Sequence, residues 1–265
     1  HQQFWDGVNF ARGANPPREE WKPPPQRTAQ ETDAAFERFG RYIDHIRTIP
    51  GIQFITAEDL PELYPDRTRD GVSDAELGEL ASRITAGGTN GLSFEIIGER
   101  AFSLADQFEL LTKAVTAMIP NHKQKRKLFT SAILGPDQRA NAGSLQRLSW
   151  TQFRDALLDV DEFVATQQRV PSRVFIGPDP IPPGDFLFAV ASAYQRHGES
   201  GLLESGEIPL GHDLVLATER YIAKDTPNLF GGWIIHKEGF RAPKILEIAS
   251  LQTWTLKPAL ALRKR

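Results

Sequence analysis

Residues 149–194, SWTQFRDALLDVDEFVATQQRVPSRVFIGPDPIPPGDFLFAVASAY, read as helix, turn, short strand, turn and helix. Trp150, Phe153, Leu157, Val160 and Val164 recur at three- and four-residue steps, which places them on one helical face. Ser149 precedes that run and supplies its N-cap. Arg173-Val174-Phe175-Ile176 is rich in β-branched and aromatic residues and stops at Gly177, as a strand of about four residues does. Pro178, Pro180, Pro182 and Pro183 then predict a rigid bend. Asp185 suits the positive end of a second helix, whose buried face is Phe186, Ala189 and Ala193.

The same order recurs on either side. Ser93-Phe94-Glu95-Ile96-Ile97-Gly98, then Phe102, Asp106 and Phe108-Glu109-Leu110-Leu111, repeats strand, turn and helix. A looser copy runs through Trp233-Ile234-Ile235-His236, Phe240 and Ile245-Leu246-Glu247-Ile248-Ala249. Each has an amphipathic stretch upstream, Leu77, Leu80 and Ile84 in one, and Leu216, Tyr221 and Ile222 in the other. A unit this small cannot bury its own apolar faces, so about three helix-strand-helix repeats are expected to stack on one another.

With 265 residues, 40% hydrophobic, and a formal net charge of −3, the chain has material for one large domain or two smaller ones. That balance gives no reason to expect nucleic acid, and no apolar run approaches the roughly 20 residues of a membrane span. There are no cysteines, which removes disulfides and thiolate metal sites. Met118 is the single methionine and the chain begins at His1, so it is expected to be a piece of a longer product.

Residues 1–27 are proline-rich and carry aromatic anchors at Phe4, Trp5, Phe10 and Trp21. Thr28 and Glu31 form a capping-box pattern ahead of a helix with Ala35, Phe36, Phe39, Ile43 and Ile46 on one face. Pro50-Gly51 stops it, and residues 52–55 predict a short strand. Thr56 then starts another helical turn. This is one αβ step of a larger parallel sheet, and one step needs neighbours. The charged turn Asp66-Arg67-Thr68-Arg69-Asp70 places a domain boundary between residues 1–66 and 67–265.

Residues 36–64, FERFGRYIDHIRTIPGIQFITAEDLPELY, resemble the closing segment of the polysaccharide deacetylase family. The resemblance implies an α/β fold class: the last αβ step of a deacetylase-type (β/α) barrel, followed by the repeat module. It also implies that a histidine at the end of the preceding strand donates a proton to the leaving amine, a role that falls on His1. The family's metal aspartate, metal histidines and base aspartate have no match here. No cofactor is therefore expected in this chain, and a zinc-like divalent metal belongs to sequence preceding it. Residues 148–177, LSWTQFRDALLDVDEFVATQQRVPSRVFIG, resemble pseudomurein-binding repeats through their P-S-x-V-x-I-G strand. That implies a cell-wall polysaccharide or peptidoglycan as partner and the cell envelope or extracellular space as location. The alternative is a purely structural module packed on the barrel, with no ligand.

The chemistry-bearing residues follow. His45, His122, His197, His212 and His236 stand at no metal-ligand spacing, and no nucleophile, phosphate-loop or dinucleotide motif occurs. The basic run 122–127 reads as a solvated segment or an anion-attracting one. If the turns after the strands line up, they offer Glu99, Arg100, Asp179, Lys237 and Glu238 to sugar hydroxyls. Trp150 and Trp233 read as core. Trp254 reads as core or as a stacking face for a pyranose ring. The predicted glycan-binding set is Arg100, Asp179, Lys237 and Trp254.

Overall fold

The computed structural model describes residues 27–87, 91–120, 128–141, 143–200, 206–212, 214, 216–222, 225–226, 229–230 and 243–261. The chain divides into two units, one of His1–Leu60 with Asp225–Arg241, the other of Pro61–Lys224 with Ala242–Arg265.

In the first unit, helix α1 (Ala29–Arg47) begins with the expected capping box. The Thr28 N–H donates to Glu31 Oε2 at 2.9 Å, and the Glu31 N–H donates to Thr28 Oγ1 at 3.2 Å. None of its residues is buried, and Phe36 and Phe39 are 71% and 61% exposed. Gly51 turns the chain after Pro50 with φ +83°. Residues 52–55 do not form the expected strand: among the described residues they join no strand ladder. A strand is held by a ladder, and β-branched composition alone does not supply the partner. The Thr56–Asp59 box does start a helical turn, Ala57–Asp59. A two-residue pair, β7 (Asp225–Thr226) with β8 (Leu229–Phe230), also belongs to this unit.

The second unit contains two full copies of one motif. In the first copy helix α2 (Asp74–Ala86) leads to strands β1 (Glu95–Ile97) and β2 (Arg100–Phe102) and then to helix α3 (Leu104–Met118). In the second, helix α4 (Trp150–Gln167) leads to β4 (Val174–Ile176) and β5 (Asp179–Ile181) and then to α5 (Pro183–Ser200). Each middle element is thus an antiparallel hairpin, in place of the single expected strand followed by a turn. The two-residue loops Gly98-Glu99 and Gly177-Pro178 open with glycines at φ +58° and +59°. A left-handed first residue matches the right-handed twist of the flanking strands, and proline suits the residue after it.

Pro180 hid the second strand. Its partner is Phe175, and Ile176 pairs with Asp179 next to the loop. Beside a two-residue loop the flanking pair exchanges both hydrogen bonds, so the following pair points its main-chain groups outward. A missing N–H at Pro180 therefore breaks no bond of this ladder.

Capping boxes at Ser73, Ser103 and Ser149 fix where α2, α3 and α4 begin. Helix α2 packs on α5, α3 on α4, and α3 on α5, so the first helix of each copy meets the second helix of the other. Phe102, Phe108, Phe153, Phe186, Leu77 and Leu80 are fully buried between them. Each contributes about 1.5–3 kcal/mol by leaving water. Helix α3 is central, with twelve of its fifteen residues buried.

A further pair, β3 (Arg147–Ser149) with β6 (Glu207–Pro209), joins the start of the second copy to the chain after it. Helix α6 (Pro243–Gln252) includes the helical stretch expected of a third copy. Its strand, residues 233–236, and Phe240 lie outside the described residues. Upstream, Tyr221 closes a five-residue 3₁₀ turn, Ala217–Tyr221, too short for the amphipathic helix expected there. The α/β character is thus mixed, with helix dominant. The named strands among the described residues form four two-stranded antiparallel pairs and no barrel.

Candidate functional site

The two copies differ most between the first helix and the outer edge of its hairpin. In copy one, Arg83 on α2 reaches across this space. Its guanidinium donates to Glu95 Oε2 at 2.7 Å and to the Ile96 carbonyl at 3.1 Å, and it also pairs with Glu79 on its own helix. Those acceptors hold its pKa above the ordinary arginine value, the Glu95 hydrogen bond contributing most.

In copy two, Asp159 stands ten residues past its helix cap, as Arg83 does past Ser73. Phe175 stands two residues before the turn glycine, as Ile96 does. Val174 replaces Glu95. The bridge is absent and a groove of about 460 Å³ opens instead. Ala156, Val160 and Val174 form its buried apolar floor, and Phe163 and Phe175 form its walls. Phe175 is 62% exposed, against 41% for Ile96. Asp159 and Arg173 also line the groove, are both exposed, and form no ion pair among the described residues.

The far rim is fixed by Ser172. Its hydroxyl donates to Asp137 Oδ1 at 2.5 Å and accepts from the Asp137 and Gln138 N–H groups at 3.2 and 3.1 Å. Arg169 pairs with the same carboxylate at 3.2 Å. The Ser172 hydrogen bond, helped by the Arg169 charge, holds the Asp137 pKa below the usual carboxylate value. Gln138 and Asp137 are thereby presented to the groove by a bonded turn.

The residues expected to bind glycan are dispersed. Arg100 on β2 donates to the Gly71 carbonyl at 2.5 Å and to Glu76 at 2.9 Å, which ties the hairpin to the cap of α2. Burial pushes the Glu76 carboxyl up, but bonds from Ser73 and the Arg100 charge outweigh it and leave the pKa below its ordinary 4.5. Asp179 is the half-buried first residue of β5. Trp254 is 3% exposed and sits edge-on to Phe108 at 6.4 Å, so its ring offers no open face. It borders a separate cavity of about 320 Å³ with Arg139, Asp185 and Ser250. Arg100, Asp179 and Trp254 share none of the four cavities described for this unit. His1 and Lys237 lie outside the described residues. The groove residues Asp159, Phe163 and Arg173 were missed because their significance depends on the missing counterpart of Arg83. Aligning the two helix caps brings that out.

Another polar cluster sits at the start of α3. Lys257 Nζ lies 2.8 Å from both Asp66 Oδ2 and Asp106 Oδ2. Burial raises the Asp66 pKa, but hydrogen bonds from Lys257 and Thr68 prevail and place it below the ordinary value. Among the described residues no group of three or more His, Asp or Glu converges as a metal site. Nor, among them, is any helix long and apolar enough to cross a membrane. No family model matches the chain, and no curated protein or solved structure matches it.

Proposed function

We propose that the second unit is a non-catalytic module that holds a cell-wall polymer in the groove between α4 and β4. The observation that carries this reading is the open groove of copy two, with an exposed Phe175 and two uncompensated charges where copy one is bridged by Arg83. The residues that resemble wall-binding repeats, 148–177, include α4, Arg173 and Phe175. In the same proposal residues 1–66 close a deacetylase-type barrel, and the module keeps that wall-modifying enzyme on its substrate in the cell envelope. The metal, the catalytic base and the reaction belong to other sequence.

Co-sedimentation of the full chain with insoluble peptidoglycan tests the binding reading. Phe175→Ala is expected to weaken binding about tenfold, the equivalent of roughly 1.4 kcal/mol. Its melting temperature should not change, because the side chain packs little. A parent chain that stays in the supernatant with every wall preparation identifies the module as scaffolding. Arg100 and Trp254, both engaged in packing, favour that second reading for the places they occupy.

A further inference from the structure

Resting on that binding reading, we propose that the groove recognises the peptide of the wall polymer and not its sugar chain, with an extended peptide laid along the outer edge of β4. The main chain gives the first reason. Phe175 pairs with Pro180 at the hairpin position whose main-chain groups point outward, so the Phe175 N–H and C=O face away from its partner strand. In copy one the equivalent carbonyl, Ile96, accepts from Arg83 on α2, so that edge faces the helix. In copy two the same edge faces the groove, and Phe175 has no hydrogen-bond partner outside the hairpin among the described residues. One peptide unit can accept from the Phe175 N–H while the next donates to its C=O, as strands do when they add to an open edge.

Charge gives the second reason. Asp159 and Arg173 are of opposite sign, line one groove and do not pair with each other. A neutral sugar chain offers neither of them a counter-charge. A wall peptide carries both an ammonium and carboxylates, which match Asp159 and Arg173 respectively. The floor of Ala156, Val160 and Val174 suits the small aliphatic side chains between those groups.

The test compares three insoluble probes with the full chain: intact peptidoglycan, the same wall stripped of its peptides by an amidase, and chitin. Binding is expected to intact peptidoglycan alone, and soluble peptides released by the amidase should compete for it. Asp159→Lys and Arg173→Glu should each lower binding about tenfold while the melting temperature holds, since both residues are solvent-exposed. Equal binding to the stripped wall overturns the peptide proposal and leaves the wall-binding reading standing. So does insensitivity of binding to both charge reversals. Failure to bind intact peptidoglycan at all removes the wall-binding reading as well.

Discussion

The two copies of the helix-hairpin-helix motif share the cap of their first helix, their turn glycines and their core positions, and differ in what lies over the hairpin edge. Copy one fills that space with Arg83, bonded to Glu79, Glu95 and the Ile96 carbonyl. Copy two leaves Asp159, Arg173 and Phe175 facing solvent. A second difference sits at the start of the second helix. Asp106 of copy one is buried beside Lys257, whereas its counterpart Asp185 accepts from the Leu214 N–H at 3.3 Å. At this position a later lysine meets the carboxylate of copy one, and a later main-chain N–H meets the carboxylate of copy two. A repeated motif can therefore keep its packing and assign different tasks to the same surface.

The comparison breaks most visibly if the two cores are not equivalent. Phe153 and Leu77 each sit four residues past their caps and are fully buried. Phe153→Ala is expected to cost about 3–5 kcal/mol and Leu77→Ala about 2–5 kcal/mol. In urea unfolding of the full chain, both should move the same cooperative transition, because α2 packs on α5 and α3 on α4. Two transitions, each answering to one substitution, would mean that the copies fold independently.

Next in size is Lys257→Met, which removes the cation 2.8 Å from the buried Asp106 and the half-buried Asp66 and leaves Asp66 with Arg69 at 3.8 Å. About 2 kcal/mol is expected at neutral pH, less than for a fully buried pair because Lys257 and Asp66 keep some water. The Asp66 pKa is lower in the folded chain than its ordinary 3.8. The stability it supplies is thus complete above that value and is lost as the pH falls through the folded pKa. The gap between wild type and Lys257→Met should accordingly narrow below about pH 4 in denaturant titrations. A gap that is constant with pH would assign Lys257 a packing role only.

The sequence disclosed the local parts of this architecture well. Thr28 and Glu31 mark one helix start because a cap and its partner lie three residues apart, and Ser149 marks another. The prolines after Gly177 predict a bend, and the chain instead returns as a second strand. Proline disfavours strands in general, and only the ladder register shows that Pro180 occupies a position that needs no donor. The β3–β6 pair joins residues about sixty apart, and short strands carry no signal of such distant partners. Arg100 and Trp254 had the right chemistry for a sugar site. Their orientation is set by Glu76 and by Phe108, which spacing along the chain does not reveal.

The turn glycines offer a smaller and sharper comparison. Both have left-handed φ, and a Cβ added at either meets nothing within 4 Å. The whole cost of Gly98→Ala and Gly177→Ala is therefore backbone strain, about 1–2 kcal/mol in each case. Equal losses in thermal unfolding are expected. A loss at one turn alone would show that the two hairpins are not held in the same conformation.

The smallest effect on stability should accompany a large effect on binding. Arg83 is partly solvated, and its three acceptors include two exposed or half-buried carboxylates, so Arg83→Ala should cost only about 0.5–1 kcal/mol. Asp159→Arg is the reverse experiment, since it places a guanidinium where copy one has one. The carbonyl of Phe175 is then available as the Ile96 carbonyl is to Arg83, and the long side chain covers the groove. Stability should change by no more than about 0.5 kcal/mol, as for other exposed substitutions. Peptidoglycan binding should nevertheless be abolished, while Arg83→Ala should leave it unchanged. The two measurements separate closure from simple charge. Asp159→Asn removes the carboxylate and leaves the groove open, so it should weaken binding less than Asp159→Arg does. If Asp159→Asn and Asp159→Arg are equally impaired, closure plays no part and the carboxylate alone explains the site. If Asp159→Arg binds normally, the groove of copy two is as silent as that of copy one, and the difference between the copies has no bearing on function.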